Sequence, residues 1–502
     1  MKRKVVIFGA WQEGISLFFE VCQKVDIVAF IDNNPDLQSK EIYGIPILSP
    51  QDLGEIIYDE IFISSSKRYY QMRVELLKLG VDTEKIKIVF GTNKIRRNLA
   101  DFNDNILNNR YEKKWTDLKK KYEYISLYSL DVSSIGEMTI RLWKMIEDEQ
   151  KINKKQLRVF IPTIGSKRRV CNQELINLLE GKLNVVNKDF EFWLYVLNIH
   201  GDEIKIFDYN KYIYRTEITS RIIQKDYTYV SFRDSQIEFG RKRLKEMGIV
   251  GDYVCLLARS SGYAESTLRD STQRRFNMEI HEYRNSNFYN YESTIEYLKT
   301  IDLQAVRMGR GEQPIKNIDN CIDYAGLYAD DFMDIFLMAN CKFAIIGGGS
   351  GIFTLATSFG RPVLFVNLVP VSFGNGGEVY TEIDTYIPKK LFCKSKNRYL
   401  SLREMALFER DYLTDGRKYS ENNIVFMENT PEEILKATKE LLARMNNQWV
   451  DTEDRIFLYQ KYLSIMSCIN DDSEKNICNW VGGAMQRRLS IEYLSENLYL
   501  LD

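Results

Sequence analysis

Histidine is scarce and long apolar runs are missing from this chain of 502 residues. With only 2 histidines, His200 and His281, there is little material for a histidine-rich metal site or a Ser-His-Asp triad. The 8 cysteines lie far apart without a Cys-x-x-Cys pair, which argues against zinc chemistry and fits reduced thiols in a cytoplasm. No apolar run reaches the roughly 18 residues that a membrane-spanning helix needs. We therefore expect a cytoplasmic protein without a bound metal.

Neither sign of charge dominates, since 69 Lys and Arg face 70 Asp and Glu. There is no long basic run and no nucleic-acid-binding motif, so we expect no nucleic-acid partner. Hydrophobic residues make up 44% and charged residues 28%, as in ordinary globular proteins. The length is too great for a single core and predicts about two to four domains.

A glycine-rich turn between two apolar runs is the most informative feature of the chain. Residues 341–367 read CKFAIIGGGSGIFTLATSFGRPVLFVN, which predicts strand, glycine turn, helix and strand of a parallel sheet. Glycines let backbone N–H groups approach a ligand, and the helix that follows points its positive end at it. Such a turn favours an anion, most often a phosphate. The alternative is that the glycines only make a tight turn.

Residues 1–95 alternate strand and helix patterns, with Gly9 and Gly14 after the first strand and Asp32 after the second. A dinucleotide-binding fingerprint has a glycine where this chain has Trp11, whose indole would crowd a dinucleotide. Asp32 stands where a ribose-binding acid is expected, about 20 residues after the turn. A nucleotide or nucleotide-sugar site at Gly9, Gly14 and Asp32 and a purely structural domain both remain open, whereas redox use of NAD is not expected.

Glu137 follows a Ser/Gly loop between a strand pattern and a helix pattern. A carboxylate at this place could take a proton from a substrate hydroxyl as a general base. The alternative is a glutamate at a helix N-terminus that the helix dipole stabilises.

Three arginines follow or lie near predicted strand ends in residues 245–445. Arg259 and Ser260 come after the strand 253–257, Arg307 ends another strand, and Arg284 lies in the stretch between them. The carboxyl ends of parallel strands meet at one edge of a sheet, where ligands bind, so we expect these arginines to converge with the glycine turn. Taken singly, each arginine could equally be a surface or ion-pair residue.

Two parts of the chain resemble known families. The stretches IFGAWQEG, FIDNNP and YGIPILSPQDL resemble the small Rossmann-type domain that opens sugar-modifying acyltransferases. Residues 123–500 resemble a family of bacterial glycosyltransferases found in surface-polysaccharide gene clusters. The residues that carry this second resemblance are YVCLLARSSGY, HEYRNSNFYNYESTIEYL, AVRMG, DDFMDIFLMANCKFAIIGGGSGIFTLATSFGRPVLFVN and IPKKLFCKSKNRYLSLREM.

The second resemblance implies the two-domain GT-B fold, with the reaction in the cleft and no metal or other cofactor required. Glu137 and Arg259 would be catalytic. The donor nucleotide-sugar would be bound by Ser260, Arg284, Arg307, Gly348, Gly349, Ser350, Gly351 and Glu378. One departure is that the helix after Gly351 lacks the glutamate pair that holds the donor sugar and ribose in many such enzymes, so ribose recognition would fall to Asp330, Asp331 or Glu378.

The expected architecture is therefore α/β, with three Rossmann-like domains of which the last two form a GT-B-type core. We expect a nucleotide-binding-like domain at 1–95, a helical linker at 96–122, an acceptor domain at 123–240, a donor domain at 241–445, and C-terminal helices at 446–502 that pack back on the core.

The expected activity is transfer of a sugar from a nucleotide-sugar to a glycan, lipid-linked or protein-linked acceptor. Two alternatives stay open: a nucleotide-sugar-modifying enzyme that uses the first domain, and a non-catalytic binding component of a polysaccharide assembly complex. A homo-oligomer is also left open. Arg487 and Arg488, beside apolar residues, suit either contact with the inner face of a membrane or ordinary packing, and packing is favoured.

Overall fold

A computed structural model of the chain places most of its residues in two compact units, which are described one at a time. Unit 1 comprises Met1–Ser133, Lys144–Val170 and Leu179–Lys211, and unit 2 comprises Ser134–Trp143, Cys171–Leu178 and Tyr212–Asp502. The described residues are 2–10, 12–22, 25–42, 44–65, 69–89, 105–131, 134–136, 138–139, 156–163, 171–178, 184–185, 190–200, 203–208, 231–267, 280–371, 381, 383–412, 416–471 and 488–502.

The first sheet of unit 1 has six strands in the order β3-β4-β2-β1-β5-β6. All neighbours are parallel except β3 and β4, which are antiparallel. The strands are β1 (Lys4–Phe8), β2 (Asp26–Ile31), β3 (Glu41–Ile42), β4 (Ile45–Leu48), β5 (Glu60–Ile63) and β6 (Ile86–Ile88). Its helices are Gln12–Val21 and Tyr69–Lys78, with 3-10 turns at Pro50–Glu55 and Thr83–Lys85.

The second sheet of unit 1 is parallel, in the order β10-β7-β8-β9. Its strands are β7 (Tyr124–Asp131), β8 (Gln156–Thr163), β9 (Asn184–Val185) and β10 (Lys205–Asp208). The helices Asn105–Lys121 and Phe190–Ile199 accompany it. The first of these falls in the expected linker, and it buries Trp115 completely, so this stretch packs into a core rather than lying free.

The main sheet of unit 2 has seven parallel strands in the order β13-β12-β11-β14-β15-β16-β20. They are β11 (Tyr253–Leu257), β12 (Gln304–Arg307), β13 (Cys321–Ile322), β14 (Ala344–Gly347), β15 (Val363–Leu368), β16 (Thr385–Pro388) and β20 (Arg488–Leu489). Every residue of β11, β14 and β15 is buried, as expected for parallel strands that are covered on both faces.

A small antiparallel sheet, β18-β17-β19, completes unit 2 with β17 (Lys390–Cys393), β18 (Arg398–Tyr399) and β19 (Ile424–Met427). The α-helices are Gln173–Asn177, Asp234–Glu246, Gly262–Thr267, Glu292–Thr300, Tyr324–Leu327, Asp331–Asn340, Phe353–Ser358, Leu402–Tyr412, Gly416–Glu421, Pro431–Met445, Glu453–Asp471 and Ile491–Glu496. The 3-10 helices are Glu282–Arg284, Phe288–Tyr291 and Leu498–Leu501. Within the described ranges, none of the helices is both long and apolar enough to cross a bilayer.

The α/β class expected from the sequence is confirmed, and one local expectation for the C-terminal tail is wrong. The tail is not wholly helical, because Arg488–Leu489 forms β20 and pairs with β16. A strand of two residues is too short to show a period in the sequence. The side chain of Arg488 lies over the ring of Tyr459 at 4.5 Å, which is ordinary packing, whereas Arg487 lies outside the described residues. The three-domain GT-B arrangement and the division at 95, 122, 240 and 445 stay predictions.

Candidate functional site

The candidate site lies where the chain reverses its direction of winding across the main sheet of unit 2. From β11 the chain proceeds to β12 and β13 on one side, and from β14 it proceeds to β15 and β16 on the other. In open α/β sheets, ligands bind outside the carboxyl ends of the two strands at such a switch point. Arg259 comes after β11, and the GGGSG turn begins at Gly347, the last residue of β14, so the structure brings these two predicted features to neighbouring strand ends.

Two glycines of the turn have left-handed backbones. Gly348 has φ +62° and Gly349 has φ +61°, conformations that favour glycine. A Cβ atom on Gly348 would overlap the carbonyl oxygen of Arg284. On Gly347, a Cβ would lie 2.8 Å from Oγ of Ser286. The glycines are therefore required by the close approach of the stretch that contains Arg284, as well as by the turn itself.

The guanidinium of Arg284 fixes the orientation of the turn. Its Nε donates to the carbonyl oxygen of Gly348 at 3.1 Å, and its Nη2 donates to that of Gly349 at 2.6 Å. In a trans peptide the C=O and the following N–H point in opposite directions, so the N–H groups of Gly349 and Ser350 point away from Arg284. Within the described part of the chain these two N–H groups have no acceptor. Successive N–H groups of this kind form a concave nest that binds anions.

Arg259 adds a positive charge beside the turn. Its Nη1 donates to the carbonyl oxygen of His281 at 3.1 Å and to Oδ1 of Asn285. No carboxylate among the described residues pairs with it. Burial, and then the charge of Arg284, lower the pKa of Arg259 to about 9. A largely buried cation is costly unless an anion balances it, so this group suits an anionic ligand.

Lys389 is a further cation of this site that the sequence analysis did not identify. Its side chain is only 3% exposed, and its Nζ donates to the carbonyl oxygens of Tyr283 at 2.9 Å and Asn285 at 2.6 Å. Burial lowers its pKa to about 8, with the charge of Arg259 acting in the same direction. The only signal in the sequence is a lysine pair after an apolar run, which is equally typical of two solvated residues.

Arg307 and Ser260 belong to a separate polar network. Arg307 is 6% exposed, and it pairs with Oδ1 of Asp323 at 2.8 Å and with Oε2 of Glu312 at 3.0 Å. Ser260 donates to the other oxygen of Glu312. The charge of Arg307 is thus balanced within the protein, in contrast to that of Arg259. Donor binding by Arg307 and Ser260 stays a prediction.

Backbone from the segment before Glu137 reaches the glycine turn. A Cβ atom on Gly136 would lie 2.8 Å from Cα of Gly351, and one on Gly351 would lie 3.0 Å from Cα of Gly136. The backbones of these two segments are therefore close together at Gly136 and Gly351. Glu137 and Glu378 themselves lie outside the described residues, so their roles stay predictions.

The acids proposed for ribose have structural partners. Oδ1 of Asp330 accepts the N–H of Met333 at 2.7 Å and caps the helix Asp331–Asn340. Asp331 pairs with Arg310 at 2.7 Å. These contacts account for both carboxylates without a ligand.

In unit 1, the predicted ligand residues form the turn after β1. Gly9 has φ +108°, and a Cβ on Gly14 would overlap the carbonyl oxygen of Gly9, so Gly14 is needed for close helix–strand packing. Oδ2 of Asp32 accepts the N–H of Ala10 at 2.8 Å, and its Oδ1 accepts that of Asn34 at 2.9 Å. Asp32 therefore closes the turn, and ligand binding there stays a prediction.

Comparison with known proteins adds one family match, to the N-terminal region. The family model described as C2185-like, N-terminal, matches residues 1–87. No curated protein matches the chain.

Among solved structures, UDP-D-quinovosamine 4-dehydrogenase from Vibrio fischeri is 23% identical over 18% of this chain and 78% of its own, with a TM-score of 0.16. The dodecameric iron-containing heptosyltransferase TibC in complex with ADP-D-beta-D-heptose is 11% identical over 51% of this chain and 61% of its own, with a TM-score of 0.24. The E. coli heptosyltransferase WaaC with ADP is 9% identical over 72% of this chain and 86% of its own, with a TM-score of 0.18. Likenesses with TM-scores this low carry no conclusion about fold or function.

Proposed function

We propose that unit 2 binds a nucleotide-sugar through its diphosphate at the switch-point turn, and that the chain transfers the sugar to an acceptor of a surface glycan. The observation that carries the proposal is that, in the part of the chain that the structure describes, hydrogen-bond donors without an acceptor and a cation without a carboxylate lie at the same turn. The N–H groups of Gly349 and Ser350 have no acceptor among the described residues, and the nearby cation of Arg259 has no carboxylate there. A diphosphate supplies both the acceptor oxygens and the negative charge.

Glycosyl transfer suits these groups because its leaving group gains charge. As an acceptor hydroxyl oxygen bonds to the anomeric carbon, the bond from that carbon to the diphosphate oxygen breaks and the diphosphate keeps the electron pair. Fixed N–H donors and cations stabilise that developing charge, and loss of one such donor typically costs about 100-fold or more in rate. In this proposal the protein's own cations stabilise the negative charge of the leaving diphosphate, a task that a divalent metal performs in other enzymes.

The hydroxyl proton needs an acceptor, and we assign that role to Glu137. Its neighbour Gly136 is in backbone contact with Gly351 of the turn, which supports placing this segment near the donor. The surface glycan as acceptor rests on the resemblance of residues 123–500 to polysaccharide-cluster glycosyltransferases.

Binding is tested by thermal shift and calorimetry with UDP, GDP, CDP, CMP and ADP on the full chain. We expect one nucleoside diphosphate to stabilise the wild type, by about 2.7 kcal/mol at a hundredfold excess over its Kd. Arg259→Gln should lose most of this effect. The matched control is Arg361→Gln. Arg361 also donates to a backbone carbonyl, that of Ala339 at 2.7 Å, but it lies at the amino end of β15, whereas the proposed site lies at the carboxyl ends of the strands.

Equal nucleotide binding by wild type, Arg259→Gln and Arg361→Gln would show that the anion site is misplaced. Turnover is then tested with the sugar conjugates of the base identified, with EDTA added to remove divalent metals. We expect slow release of the nucleoside diphosphate in the presence of EDTA, with water taking the place of the glycan hydroxyl at the anomeric carbon. Binding without release would favour the non-catalytic component, and a chemically altered nucleotide-sugar would favour the modifying enzyme.

A further inference from the structure

We propose that Lys389 is a positioning residue of the anion site: its ammonium holds the segment 283–285 so that Arg284 orients the glycine turn and Arg259 faces a nucleoside diphosphate. This inference rests on the proposed function, and it adds a residue that neither the sequence motifs nor the comparisons assign.

The contacts form a connected path from Lys389 to the glycine turn. The ammonium donates to the carbonyl oxygens of Tyr283 and Asn285, the residues on either side of Arg284. Arg284 in turn donates to the carbonyl oxygens of the turn. Removing the ammonium leaves the carbonyl oxygens on both sides of Arg284 without this donor, so in this proposal the orientation of the turn depends in part on Lys389.

Arg259 binds the same part of the chain, because it donates hydrogen bonds to the side chain of Asn285 and to the carbonyl oxygen of His281. The segment is thus held by two cations, each of which bonds to neutral oxygen acceptors. This arrangement places positive charge around the segment and leaves it to be balanced from outside.

The neighbouring Lys390 provides a comparison, because a carboxylate of the protein balances its charge. Nζ of Lys390 pairs with Oε1 of Glu433 at 2.9 Å. Lys389, by contrast, has no carboxylate bonded to it in the described ranges. These adjacent lysines therefore differ in whether a carboxylate already balances their charge.

The charged and titratable groups that act on Lys389 are known from the structure. Burial is the main cause that lowers its pKa to about 8; the charge of Glu428 raises it and that of Arg259 lowers it. Glu428 is occupied by the N–H of Asn287 and by Nδ2 of Asn290, each at 2.9 Å. A bound diphosphate brings negative charge toward this cluster and raises the pKa of Lys389 again.

Proton uptake on nucleotide binding follows from this shift. With its pKa lowered to about 8, the Lys389 ammonium loses its proton in part of the unliganded molecules at pH 8. The terminal phosphate of the ligand, whose pKa is about 6, is already ionised at that pH. Binding should therefore take up protons at pH 8, and affinity should fall as pH rises through 8. Arg259, with its pKa near 9, is mostly charged already at pH 8.

The test is titration calorimetry on the full chain at pH 8 with UDP, GDP and ADP, in two buffers of different ionisation enthalpy. We expect the wild type to take up protons with the nucleotide that binds. Lys389→Met should lower affinity by about 10-fold to 100-fold, as for loss of a charge-assisted hydrogen bond, and should abolish most of the proton uptake.

Lys390→Met is the matched control, since it removes the same side chain one residue away. It should lower thermal stability, because Glu433 loses its partner, and should keep both affinity and proton uptake. If Lys389→Met fails to fold, Lys389→Gln keeps an N–H donor for the two carbonyls and should fold, bind weakly and take up no proton.

Wild-type binding with unchanged affinity and proton uptake in Lys389→Met or Lys389→Gln would overturn the role of Lys389 and leave the proposed function intact. Failure of UDP, GDP, ADP, CDP and CMP alike to bind the wild type would overturn both.

Discussion

Nη2 of Arg284 lies 2.6 Å from the carbonyl oxygen of Gly349. An arginine at a phosphate-binding turn would ordinarily be expected to face the ligand, but this one binds the backbone behind the turn. Together with its contact to Gly348, the bond sets both peptide planes and so directs the following N–H groups outward. In the proposed anion site, Arg284 would therefore orient the turn, and direct compensation of the ligand's charge would fall to Arg259.

Replacing Arg284 by lysine should separate charge from geometry. Lys keeps the charge but cannot hold two carbonyl oxygens with a planar fork. We expect Arg284→Lys to weaken nucleotide binding about 10-fold and to lower the free energy of unfolding by about 1–3 kcal/mol, as for lost charge-assisted hydrogen bonds. Calorimetry and urea unfolding measure the two effects. Arg361→Lys, at the opposite sheet edge, should lose stability only; equal nucleotide affinities in the two variants would contradict this role.

A methyl group at Gly348 should be far more damaging than one at Gly360. Both glycines are left-handed, with φ +62° and +67°, so alanine strains both backbones by about 1–2 kcal/mol. Only at Gly348 does the Cβ overlap another atom, the carbonyl oxygen of Arg284, whereas Gly360 has open space. Gly348→Ala should therefore cost at least about 2 kcal/mol more in urea unfolding and abolish nucleotide binding. A similar loss in the free energy of unfolding for Gly348→Ala and Gly360→Ala would show that the turn can move away from Arg284.

The sequence was sufficient to predict the strand–turn–helix–strand unit around Gly348, because fully buried parallel strands appear as continuous apolar runs. It also predicted that Arg259 and the turn share one sheet edge, since parallel strands end together. It could not tell Arg259 from Arg307. Both arginines follow or end apolar runs, and only the fold shows that Glu312 and Asp323 balance the second.

Lys389 was missed for a related physical reason. In the sequence, Lys389 and Lys390 are typical of two solvent-exposed residues, and the local sequence does not indicate which of the two side chains is buried. The difference depends on acceptors distant in the chain, namely the carbonyl oxygens of Tyr283 and Asn285 for one and Glu433 for the other. Long-range partners of this kind are set by tertiary packing and leave no periodic signal.

The contact between Gly136 and Gly351 should matter for turnover more than for nucleotide binding. A Cβ on Gly136 would lie 2.8 Å from Cα of Gly351, so alanine pushes the segment before Glu137 off the turn. Misplacement on the order of 1 Å can cost about 100-fold in rate. We expect Gly136→Ala to lower kcat by about 10-fold or more with little change in nucleotide Kd. Gly54→Ala, in open space, is the control, and an unchanged kcat in Gly136→Ala would argue against a catalytic role for this segment.

Asp32 provides a test of where nucleotide binds. Its carboxylate accepts the N–H groups of Ala10 and Asn34, so Asp32→Ala leaves two backbone donors without their acceptor. We expect this variant to lower the free energy of unfolding of the full chain by about 1–3 kcal/mol, measured in urea. Asp36→Ala removes a carboxylate from the same exposed loop and should cost less.

The nucleotide-induced stabilisation should nevertheless be the same in Asp32→Ala as in the wild type, because the proposed anion site lies wholly within unit 2. Thermal shift across a nucleotide titration compares the two proteins at equal saturation, so the lower starting stability of the variant does not confuse the result. A shift that disappears with Asp32→Ala but survives in Arg259→Gln would place the nucleotide on the turn after β1. The chemistry would then have to be sought in unit 1, at the aspartate that the sequence places about 20 residues after its glycine turn.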